Sequence, residues 1–80
     1  MNIKHNLAIS DSGFVFNPST GDSFSVNPMG LEILRLLKEN KPLQHIKQHL
    51  LNTYQTDADT IDKDLNDFVG QIKKLQLTNN

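Results

Sequence analysis

Eighty residues with a net charge of −1 give one domain with a single core, and no bulk attraction for nucleic acid or acidic membrane. The absence of cysteine removes disulfides, thiolate catalysis and cysteine-based zinc sites together. The opening Met1-Asn2-Ile3-Lys4-His5-Asn6 lacks the apolar centre of a signal peptide, and no run reaches the ~18 apolar residues of a membrane span, so the expected location is cytoplasmic.

The chain divides into a strand half and a helix half. Leu7 and Ile9 alternate with Ala8 and Ser10 ahead of the turn Asp11-Ser12-Gly13, which predicts a first strand. Phe14-Val15-Phe16 is a second, rich in residues that suit a pleated surface. Asn17-Pro18-Ser19-Thr20-Gly21-Asp22 is a strong turn signal, since proline fixes φ and glycine supplies a positive one. Ser23-Phe24-Ser25-Val26 then forms a third strand, with Phe24 and Val26 on one face and the serines on the other. Tight turns between all three predict an antiparallel meander.

Pro28 ends the ladder and suits a first helical turn, with Asn27 before it as N-cap. A first helix is expected from Met29 to about Glu39, its apolar arc made by Met29, Ile33, Leu34, Leu36 and Leu37, with Leu31 on the polar side. Asn40-Lys41-Pro42 interrupts it. A second helix is expected from about Leu43 to Tyr54, with Leu43, Ile46, Leu50, Leu51 and Tyr54 on one face. A third and longest helix follows the Thr56-Asp57-Ala58-Asp59 cap. Its stripe holds Ala58, Ile61, Leu65, Phe68, Val69, Ile72 and Leu75, and Lys73 and Lys74 complement the dipole at its end. Thr78-Asn79-Asn80 is expected to fray.

His45 and His49 stand at i, i+4, the spacing of a zinc pair, but opposite the apolar stripe and with no third ligand nearby, so a solvated polar face is the reading adopted. Asp57, Asp59, Asp62, Asp64 and Asp67 do not fit a calcium loop, because Asp62 stands at the sixth position where glycine is required. Helix capping explains that run. Glycines at 13, 21, 30 and 70 form no phosphate loop or nucleophile elbow, which points to a binding module without cofactor rather than an enzyme. A small sheet with three helices raises winged-helix DNA binding. Five aspartates opening the third helix, countered by Lys63 alone, oppose it.

The run from Asn17 to Gly30, continued by Leu31-Glu32-Ile33-Leu34-Arg35-Leu36-Leu37, resembles the PqqD family, the pyrroloquinoline quinone biosynthesis protein D group. More broadly it resembles the recognition elements that bind leaders of ribosomally made, post-translationally modified peptides. The Asn27-Pro28-x-Gly30 junction is the most specific part, and the likeness spans about Leu7 to Leu77. The resemblance implies an α+β fold of three antiparallel strands and three helices, winged-helix-like and non-catalytic. It implies a leader peptide added as a strand on Ser23, Phe24, Ser25 and Val26, with Leu65, Phe68, Val69 and Ile72 as groove wall. A peptide-modifying enzyme, radical SAM enzymes among the candidates, is the implied second partner.

The residues themselves keep alternatives open. Phe68 and Ile72 lie at the centre of the helical stripe, where core is the ordinary reading. Val69 marks one flank of that stripe and Asp64 with Gln71 the other, and either flank is a candidate to face the third strand. An unprotected third strand is also a route to a homodimer. The second functional reading is a regulatory protein–protein module with no peptide substrate.

Overall fold

The computed structural model describes residues 3–4 and 6–78. Three short strands come first: β1 (Ala8–Ile9), β2 (Phe14–Asn17) and β3 (Asp22–Ser25). Three helices follow: α1 (Pro28–Lys38), α2 (Leu43–Thr53) and α3 (Ala58–Lys74). The sheet is an antiparallel meander in the order β1-β2-β3, which makes this an α+β domain of winged-helix-like layout.

Both turns of the meander are specified locally. Asn17 accepts the Ser19 N–H on its side-chain oxygen at 3.0 Å and the Gly21 N–H on its carbonyl at 2.8 Å, so one residue shapes the whole β2–β3 turn. Gly13 sits at φ +90° before β2, and a β-carbon there would stand 2.6 Å from the carbonyl oxygen of Val26. Glycine is required at that position for conformation and for space.

The pleat sorts the sheet into two faces. Val15 is fully buried and its cross-strand partner Phe24 half-buried, both on the core side. Phe14 and Phe16, paired with Ser25 and Ser23, face outward at 48% and 40% exposure.

The α1 helix begins as its sequence requires. The Asn27 side chain accepts the Gly30 N–H at 2.7 Å, and Pro28, which has no N–H to satisfy, takes the first helical position. Ile33, Leu34 and Leu37 are buried, Met29 and Leu36 half-buried, and Leu31, expected on the polar side, is half-buried too. Arg35 pairs with Asp11 of the first turn, and Lys38 donates to the Leu7 carbonyl at 2.8 Å, so α1 is fastened to the β1 side of the sheet.

Both α1 and α3 stop in the same way. Asn40 adopts φ 63° while the Lys41 N–H bonds back to Leu36. Gln76 adopts φ 60° while the Leu77 N–H bonds back to Ile72. This six-to-one closure is the Schellman arrangement, which needs one left-handed residue.

That second closure corrects part of the expected stripe. Leu75, at the C-cap of α3, is 41% exposed, and after the turn at Gln76 it is Leu77 that enters the core, fully buried. Leu43 and Ala58, the first residues of α2 and α3, are exposed as well, because terminal helical positions extend past the packed turns. A larger correction concerns the ends of the chain. Ile3 is 1% exposed and forms an antiparallel bridge with Thr78, while the Lys4 N–H donates to the Leu77 carbonyl at 2.9 Å. Thr78, expected to fray, is therefore held and buried. Asn79 and Asn80, named with it, and His5 lie outside the described residues.

Candidate functional site

The hydrogen-bonding direction of β3 follows from one contact. Val26 donates its N–H to the Gly13 carbonyl at 2.8 Å, so Val26 belongs to a bonded cross-strand pair. Bonded and non-bonded pairs alternate along an antiparallel ladder, which puts Phe24 and Asp22 in bonded pairs with Val15 and Asn17. Ser23 and Ser25 then present their N–H and C=O groups away from β2. The same alternation shows on the other side of β2, where the Phe14 carbonyl turns away from β3 and accepts the Ser10 N–H at 2.9 Å. Among the described residues no strand pairs with the outer side of β3, so Ser23 and Ser25 offer free main-chain groups at an edge.

A groove of about 240 Å³ opens where β3 runs into α1, with α3 as its opposite wall. Asn27, Met29, Gly30 and Ile33 line one side. Asp64, Asp67, Phe68 and Gln71, which recur at helical spacing on one flank of α3, line the other. The two walls meet at a glycine: a β-carbon on Gly30 would lie 2.9 Å from Cε1 of Phe68 and 3.2 Å from Val26. The small residue in the Asn27-Pro28-x-Gly30 junction thus lets the Phe68 ring approach the helix start.

The residues named from sequence separate into three environments. Phe68 is half-buried and lines the groove. Leu65 and Ile72 are buried in the core at 6% and 1% exposure, and Val69 is half-buried against that core. Of the two candidate flanks of α3, the groove is lined by the one that carries Asp64 and Gln71. Met29, Gly30, Ile33 and Asp67 also line it and were not singled out. The i, i+3, i+7 spacing of Asp64, Asp67 and Gln71 was the available signal for the last of these.

The electrostatics of α3 are set at its first turn. The Asp57 side chain accepts the Thr60 N–H at 2.7 Å, and that bond holds its carboxyl below the ordinary value of 3.8. Further along, Lys63 reaches Asp67 at 3.3 Å across one turn, a solvated pair, while on another flank Lys47 of α2 meets Asp62 at 2.9 Å. A separate polar cluster lies between α1 and α2, outside the groove lining. His49 Nε2 stands 3.7 Å from Glu32 Oε2, which places this histidine half-buried against α1 rather than on a fully solvated face. Burial, with the Glu32 carboxylate beside it, pushes the Tyr54 hydroxyl above 10.0. No helix among the described residues is long and apolar enough to cross a membrane.

The family model described as coenzyme PQQ synthesis protein D (PqqD) matches residues 13–77. The chain belongs to the PqqD family. Gly13, which seats β3 on β2, and Leu77, which closes the core after α3, stand at the two ends of the PqqD match. A solved structure, TbiB1 in complex with the TbiA(beta) leader peptide, is similar at a TM-score of 0.89 and 26% identity. The alignment covers 100% of this chain and 96% of that one. No curated protein matches the chain. PqqD membership, the likeness to TbiB1 and the three-strand, three-helix order agree on one fold.

Proposed function

We propose that this chain is a non-catalytic, cytoplasmic peptide-binding chaperone that takes the leader of a ribosomally made precursor peptide and presents it to a modifying enzyme. The observation that carries the reading is the outward main chain of Ser23 and Ser25, beside the groove closed by Phe68. A peptide laid there gains main-chain hydrogen bonds from the edge, and alternate side chains fall toward the helix layer or toward solvent. On this reading Phe24 and Val26 supply the apolar surface next to the peptide. Phe68 forms the groove wall, with Leu65, Val69 and Ile72 holding α3 in place behind it. Membership of the PqqD family and the likeness to a protein solved with a leader peptide support the assignment.

The modifying enzyme is the second partner, with radical SAM enzymes among the classes to test. A homodimer formed by two β3 edges would cover Ser23 and Ser25, so it competes with peptide. The test is a titration of the labelled protein with the leader of a precursor encoded beside its gene, followed by amide chemical shifts. Shifts concentrated at residues 22–26 and around Phe68 are expected. Binding that leaves those amides unmoved overturns the mode. A gene neighbourhood without precursor or maturase favours the regulatory protein–protein module instead.

A further inference from the structure

Peptide capture by β3 accounts for affinity but leaves the chemistry of the groove unexplained. Met29, Ile33 and Phe68 give it apolar lining, whereas Asp64 and Asp67 bring two carboxylates to its α3 wall. These carboxylates are three residues apart on one helix, neighbours on its surface, and like charges so placed repel each other. No cation is among the groove-lining residues. Among the described residues the one ion pair made by either is Lys63–Asp67 at 3.3 Å, with side chains 78% and 67% exposed. Such a pair is weak and easily exchanged.

Resting on the peptide-binding reading, we infer that this groove is a specificity pocket for one basic side chain of the bound peptide, arginine above lysine. An arginine stem has an apolar length to lay on the half-buried Met29, and its planar head both stacks on an aromatic face and bonds carboxylates in pairs. Lysine offers the charge without the planar fork. The groove begins at Asn27, two residues past the end of β3 at Ser25, so a basic residue held there keeps a fixed offset from the strand-paired part of the peptide. Gly30 contributes by its missing β-carbon: a larger residue would clash with the Phe68 ring at 2.9 Å and disturb the wall that the side chain lies against.

The probe is a random peptide library displayed on phage, selected in parallel on the wild-type protein and on the Asp64→Asn/Asp67→Asn variant. Both substitutions are at exposed positions, so the fold survives them. Wild-type selections are expected to converge on alternating apolar residues with arginine or lysine at one fixed position, and the neutralised variant to lose only the basic preference. A synthetic copy of the leading peptide should lose about tenfold in affinity for the wild type when its basic residue becomes alanine. The same exchange should cost nothing on the variant, and the wild-type difference should shrink with added salt. Peptides that shift the Ser23 and Ser25 amides but carry no fixed basic residue, or keep it on the variant, overturn the pocket and leave the strand-pairing reading standing. Selections that return no peptide overturn both.

Discussion

The ring of Phe68 occupies the space beside Gly30 that any other residue's β-carbon would need, at a separation of 2.9 Å from that carbon. The mid-point of α3 and the first turn of α1 therefore meet through one aromatic edge and one absent methyl group. Gly30→Ala should cost about 1–3 kcal/mol, because Val26 and the Asn27 carboxamide crowd the same point at 3.2 Å. Phe68→Ala also destabilises, through lost burial. The double variant should be less damaged than the sum of the singles, since removing the ring removes the clash. Urea unfolding of the four proteins measures this, and strictly additive losses would refute the contact as the cause.

Ser25 separates edge chemistry from fold stability. Its N–H points out of the sheet, so proline there removes no ladder bond, and proline is tolerated at such edge positions. Ser25→Pro should unfold close to wild type yet bind leader peptide about tenfold more weakly, one main-chain hydrogen bond being lost. Ser25→Ala, which keeps the N–H, should bind normally. Calorimetric titration of the three proteins decides it. Equal affinities would mean that the peptide does not pair with this edge.

Gln76 is a side-chain-bearing residue held at φ 60° to close α3, a conformation that costs most L residues about 1–2 kcal/mol. Gln76→Gly should stabilise the domain by about 0.5–1 kcal/mol after the greater entropy of glycine in the unfolded chain is counted. Asn40, at φ 63°, should gain less from the same change because asparagine tolerates this region. Thermal unfolding would show the rise for one and little for the other.

Asp57 makes stability depend on pH in a defined direction. Its carboxyl is held below 3.8 by the Thr60 N–H, so the folded state favours the ionised form. The contribution is fully present above 3.8 and disappears as pH falls through the lower folded value. Asp57→Asn keeps an acceptor and removes the titration. Wild type should exceed the variant at neutral pH, with the gap closing in acid. Parallel pH profiles of the urea midpoint would contradict the assignment.

Most of the local architecture was legible because its causes lie within a few residues. Asn27 caps what Pro28 begins, and the Asn17 turn needs only the residues up to Gly21. Face assignment held in the middle of each helix and slipped at the ends, at Leu43, Ala58 and Leu75, where a stripe continues in sequence after its packing partner has stopped. The candidate groove was half legible. Phe68 stood in the stripe, and Asp64 and Gln71 marked one flank, but nothing local told that flank from the one carrying Val69.

The sequence by itself determined the order of strands and helices, the turns, the helix caps and the alternation that gives β3 an apolar and a serine face. Those features arise from backbone preferences and side-chain hydrogen bonds spanning fewer than about six residues. Only the tertiary structure decided that Ile3 and Thr78 meet, that Leu77 replaces Leu75 in the core, and that Asp64, Phe68 and Gln71 face Gly30 across a groove. Each depends on where elements distant in the chain come to rest. That placement is set by the packing of the whole core, which no short stretch of residues encodes.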